Sequence, residues 1–116
     1  MELNSFPKAI ANLQTQIMYL DREIQQHKES IAFHLSSIDK TIAFNKELKN
    51  EAQRKAKRAQ LIETDPDYTS ALYKMRQTTE KREELAIELE LHRNLFSVAK
   101  IEARAAVFER ELNLAF

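Results

Sequence analysis

Residues 10–38 read IANLQTQIMYLDREIQQHKESIAFHLSSI, and in that stretch isoleucine falls at Ile10, Ile17, Ile24, Ile31 and Ile38, with Leu13 and Leu20 three places after the first two. Apolar residues at alternating steps of three and four form one stripe on an α-helix, and a repeat of seven is the seam of a coiled coil. The stretch therefore predicts a long helix with a helical partner. Continued along the chain, the isoleucine column runs to Asn45, Ala52 and Ala59, and its companion column reads His27, His34, Thr41, Leu48, Lys55 and Ile62. From Leu35 onward a neighbouring column, Leu35 and Ile42, takes over. Such sideways drift suits a straight helix of 3.6 residues per turn and only weak supercoiling. An asparagine in the seam at Asn45 is expected to fix register, at some cost in stability.

Two places look like breaks: Pro7, and the segment Glu63-Thr64-Asp65-Pro66-Asp67-Tyr68. Proline suits the first turn of a helix, and Thr64 or Asp65 can cap the exposed N–H groups that follow. Asn4 or Ser5 with Pro7 reads as a similar cap at the start. The expected organisation is one domain spanning residues 1–116, with helix 1 about 6–63, a tight turn about 64–66 and helix 2 about 67–114. A short connection makes the helices antiparallel neighbours. Folding about residue 65 would set residue k opposite roughly 130 minus k. The expected fold class is all-α, a long antiparallel two-helix coiled-coil hairpin that dimerises into a four-helix bundle.

Composition supports this shape. Among 116 residues there is no glycine, no cysteine, no tryptophan and only two prolines. About eight glycines would be ordinary at roughly 7 per cent usage, and without them the phosphate-cradling loop, the dinucleotide fingerprint, the nucleophile elbow and the EF-hand loop are excluded. The absence of cysteine removes disulfides and thiolate metal sites, so a cytoplasmic setting is expected. Met1 to Pro7 lacks the pattern of a signal peptide, and no apolar run is long enough to span a membrane.

The second arm carries two stripes. Leu72, Met75, Ala86, Leu89, Phe96, Ala103 and Val107 form one, interrupted by Thr79, Arg82, Arg93 and Lys100. Ile87, Leu91, Leu95, Val98, Ile101, Ala105, Phe108 and Leu112 form the other. One partner helix covers only one of them. The seam inside the hairpin is expected to use Ile10, Leu13, Ile17, Leu20, Ile24, Ile31 and Ile38 with Leu89 and Phe96. Ile87, Leu91, Leu95, Val98, Ile101 and Phe108, with Phe33 and Tyr19, are left for a dimer interface. Residues 87–116 hold 17 apolar side chains in 30 whereas residues 46–82 hold 11 in 37, so the greasy end is the end that needs a partner.

Charge is balanced, with 18 Lys and Arg against 18 Asp and Glu. Residues 46–82 nevertheless hold ten basic and six acidic side chains, including the run Arg54-Lys55-Ala56-Lys57-Arg58. With Lys74 and Arg76 beside Tyr68 and Tyr73, these cations could contact phosphates and stack a base, although interleaved glutamates suit a solvated helix face. His27, His34 and His92 lack the Glu-x-x-His spacing of four-helix metal sites, so register-setting polar residues are expected in place of metal ligands. Glu83-Glu84 and the Asp65/Asp67 pair suggest no catalytic carboxylate arrangement, and neither a metal nor another cofactor is expected. The functional expectation is a non-enzymatic scaffold or adaptor that self-associates and binds a protein partner; the alternative is a small nucleic-acid-associated factor.

Overall fold

The computed structural model of the chain describes residues 1–115 and contains three α-helices: α1, Phe6–Ala43; α2, Glu51–Thr64; and α3, Pro66–Ala115. A 3-10 turn, Leu3–Ser5, runs directly into α1, so Asn4 and Ser5 are not the side-chain caps expected there. The chain is all-α and folds back on itself as an antiparallel helical hairpin, as the heptads predict.

The place of reversal differs from the expected one. Helix 1 does not run to residue 63; it stops at Ala43, and the chain turns over residues 44–50. Asn45 is the cause at one side: its side-chain oxygen accepts from the Glu47 amide at 3.0 Å, a local turn that competes with helix continuation. Asn50 is the cause at the other. In extended backbone, its side chain accepts from the Gln53 amide at 2.9 Å, while the Gln53 side chain accepts from the Lys49 amide at 2.8 Å. This reciprocal pair resembles a capping box and starts α2 afresh. Asn45 is thus a turn former, not the seam residue that the column suggested.

Residues 64–66 form a joint within the returning arm. Only Asp65 leaves helical geometry, with φ −74° and ψ 112°, as a residue before proline tends to do. Its amide donates to the Leu61 carbonyl at 2.9 Å, closing α2, and its carboxylate accepts from the Asp67 and Tyr68 amides at 2.9 and 3.1 Å, opening α3. Of the two candidate caps, Asp65 does the work; the Thr64 hydroxyl donates back to the Gln60 carbonyl at 2.8 Å. Among the described residues none has a positive φ, so both turns are built without the geometry that glycine supplies.

The chain divides into two compact units. One comprises Met1–Tyr19 and Arg82–Phe116 and contains the start of α1 and most of α3. Its core is Leu13, Ile17 and Leu89, with Ile10, Leu85 and Ala86 packed against them. Phe6 stacks on Phe96 at a centroid distance of 5.6 Å. Residue 6 beside residue 96, and residue 13 beside residue 89, place residue k opposite roughly 102 minus k, not 130 minus k.

The other unit comprises Leu20–Lys81. Here α2 lies along the end of α1, joined by the Arg58–Asp39 ion pair at 2.7 Å and by a groove that Ile38 and Thr41 share with Leu61 and Thr64. The first turns of α3 then line a groove with His27, Ser30 and His34. Both α2 and α3 therefore run antiparallel to α1. Ile38, Ile42, Ala71 and Thr78 are buried, and the Thr78 hydroxyl satisfies itself on the Lys74 carbonyl at 2.9 Å.

Candidate interaction surface

Two faces of α3 can be told apart by burial. Leu85, Leu89, His92, Phe96, Ala99 and Ala103 are buried or half-buried at alternating steps of four and three. Two of these, Leu89 and Phe96, are the seam residues expected on this helix. On α1, of the residues expected in the seam, Leu13, Ile17 and Ile38 are buried and Ile10, Leu20, Ile24 and Ile31 are half-buried.

The outer face is apolar and open. Leu89 is 8% exposed, while Ile87, two residues away, is 72% exposed because a step of two moves a side chain to the far side of a helix. Leu91, Leu95, Val98, Ile101, Phe108 and Leu112 are likewise exposed. On α1, Phe33 and Tyr19 are exposed, so each residue assigned to the interface lies on the surface. Phe33 and Tyr19 belong to different units, however, and only Tyr19 shares the unit that holds the α3 stripe. Beyond Ala103 every described residue of α3 is exposed, Val107 and Leu114 included. Two grooves flank this region. One of about 390 Å³ is lined by Leu3, Ala103, Val107 and Phe108, and another of about 660 Å³ by Leu3, Pro7, Phe96 and Lys100. The Lys100 ammonium sits 4.5 Å from the Phe96 ring centroid, a cation–π contact that covers part of the stacked pair.

Asn94 was not singled out by the sequence pattern. Its position follows from the step of seven through Ile87, Asn94, Ile101 and Phe108, which places one carboxamide in an otherwise apolar column. The Asn94 side chain has no hydrogen-bond partner among the described residues.

The basic side chains differ in their surroundings. Arg58 is paired with Asp39 at 2.7 Å, Arg54 lies 3.8 Å from Glu51, and Lys57 is half-buried and donates to Gln60 at 3.3 Å. Lys55, Lys74 and Arg76 are exposed. Lys74 shares a groove with His27, Ser30 and His34, whereas Arg58 pairs with Asp39, five residues or about 8 Å of α1 beyond the nearest of these.

The histidines are also separated. His27 and His34 line one groove of about 430 Å³ with Asp67 and Lys74, and His92 belongs to the other unit. The His27 Nε2 atom lies 3.5 Å from a Glu23 carboxylate oxygen without forming a hydrogen bond. His92 Nδ1 is 2.8 Å from the Glu88 carbonyl; a carbonyl only accepts, so this nitrogen carries the proton. The His34 ring meets Phe33 edge-on at 5.5 Å. Among the described residues no group of three or more His, Asp or Glu converges as a metal site, and no helix is long and apolar enough to cross a membrane. Compared with protein-family models, curated proteins and solved structures, the chain matches none.

Proposed function

We propose that this chain is a non-enzymatic, cytoplasmic scaffold or adaptor. It self-associates as a homodimer through the outer face of α3 in coiled-coil fashion, and its remaining helical faces are available to a protein partner. The observation that carries this reading is the exposed stripe from Ile87 to Leu112. Apolar patches larger than a few hundred Å² are uncommon on monomers and mark interaction sites. At 1.5 Å per residue the stripe is about 38 Å long. A C2 dimer closes such a surface on itself with no second protein.

Light scattering with the Leu91→Glu/Val98→Glu variant tests the reading. The native chain is expected to scatter as a dimer, and the variant as a monomer with unchanged helix content. A variant that stays dimeric would move the contact elsewhere. Nucleic-acid contact through Arg54, Lys55, Lys57, Arg58, Lys74 and Arg76 has less support, because Arg54 and Arg58 already face carboxylates. Absence of oligonucleotide binding at low salt would end that alternative.

A further inference from the structure

We infer that two copies of this chain pair through α3 in parallel and in register, with Asn94 meeting Asn94 of the second copy across the two-fold axis. The inference rests on the self-association proposed above and adds its direction and register. The stripe is made of two columns in coiled-coil spacing. Leu91, Val98, Ala105 and Leu112 occupy a positions, and Ile87, Asn94, Ile101 and Phe108 occupy d positions. The helix has a separate face for α1, through Leu89 and Phe96. A second helix can therefore approach without displacing the first.

Direction is decided by the residues that flank the stripe. On one side, at e, stand Glu88, Leu95, Glu102 and Glu109; on the other, at g, stand Glu90, Ser97, Arg104 and Glu111. In a parallel in-register pair each g residue faces the e residue five places later on the other copy. Arg104 then faces Glu109 twice, Ser97 faces Glu102, and Glu90 faces Leu95; the like-charge contact of this register is Glu83 against Glu88, made twice at the edge of the stripe. In an antiparallel pair centred on the stripe, e faces e and g faces g. Glu88 then meets Glu109, and Glu90 meets Glu111, each twice; Arg93, 3.8 Å from Glu90 on the same helix, offsets part of the second contact and none of the first. With two attractive and two like-charge contacts in the parallel pair against four like-charge contacts in the antiparallel one, the charge pattern favours the parallel arrangement.

The single polar residue of the stripe agrees. In the antiparallel register Asn94 lies against Ala105 of the other copy, and its carboxamide is left buried without a partner. In the parallel register the two carboxamides lie in one layer, each able to donate to the other. A lone asparagine at a core position is a known means of fixing strand register and number. Arg104 and Glu109 are exposed and make no ion pair among the described residues, so both are available for the contact.

The absence of cysteine gives a clean test, since any disulfide comes from an introduced thiol. Leu91→Cys and Leu112→Cys, prepared separately and oxidised at micromolar concentration, should each cross-link to themselves, and a mixture of Leu91→Cys with Phe108→Cys should give no mixed product. Cross-linking only in that mixture would overturn the direction while leaving self-association in place. Charge variants report without any thiol. Arg104→Glu and Glu109→Arg should each weaken the dimer about tenfold, because each replaces two attractive pairs by two repulsive ones, and the double variant should restore it. An antiparallel dimer would be strengthened by Glu109→Arg, which relieves its contact with Glu88. Light scattering of the unmodified chain separates the two ideas: a monomer would overturn both, and a trimer or tetramer would overturn the two-stranded register.

Discussion

Leu89→Ala and Ile87→Ala form a pair of substitutions two residues apart that should differ sharply in cost. Leu89 is 8% exposed and packs on Leu13 and Ile17, so truncation removes nearly all of its burial. Three carbon groups at about 0.8 kcal/mol each, scaled by that burial, come to about 2.2 kcal/mol. The void left behind adds to this, but a seam only two helices wide relaxes more readily than an enclosed core. The total should be about 2–3 kcal/mol, the low end of leucine truncations. Ile87 is 72% exposed, so the same arithmetic gives about 0.7 kcal/mol, largely offset by the better helix propensity of alanine. The assay is urea unfolding followed by far-ultraviolet circular dichroism, at a concentration low enough to keep the chain monomeric. With a slope of about 1.5 kcal/mol/M, the Leu89→Ala midpoint should fall by about 1.3–2 M and the Ile87→Ala midpoint should barely move. At higher concentration Ile87→Ala should become destabilising as well, since the stripe is then covered. Equal costs at low concentration would refute the assignment of the two faces of α3.

Asn50→Ala removes the acceptor of the Gln53 amide and should cost about 1 kcal/mol, read as lost helicity in α2 and faster amide exchange at Gln53. Asp65→Ala leaves the Asp67 and Tyr68 amides without their carboxylate, so a loss of about 1–2 kcal/mol is expected by urea unfolding, and Asp65→Asn should recover most of it. A double-mutant cycle on Asp39 and Arg58 should give a coupling below about 1 kcal/mol that fades with salt, because both side chains are about half exposed. A coupling of zero at low salt would argue against α2 lying along α1.

Much of α1 was legible in the sequence because an isoleucine every seven residues leaves one helical face to bury. The burial of Leu13, Ile17 and Ile38 agrees with that periodicity, and the burial of Leu89 with the stripe read on the second arm. The turn lies away from the conspicuous proline for a physical reason. Pro66 is conspicuous, but proline at the first position of a helix is compatible with a chain that keeps its direction, and one extended residue at Asp65 is enough to join two helices. The true reversal depends on three polar side chains, Asn45, Asn50 and Gln53, that turn inward on their own backbone. Asn50-Glu51-Ala52-Gln53 carries the capping pattern, so the signal was present. It was masked by a heptad frame that continued through the turn to Ala52 and Ala59. Misplacing the turn also misplaced the partners: Leu89 faces Leu13 and Ile17, not residue 41. Asn94 was legible only after burial had separated the inner from the outer face of α3.

The central claim is that the outer face of α3 is closed by a second copy of this chain. Sedimentation equilibrium of the unmodified protein across the micromolar range tests it most directly. A species of twice 13.6 kDa that returns to 13.6 kDa with Leu91→Glu is the predicted result. A unmodified chain that remains at 13.6 kDa throughout that range would contradict it.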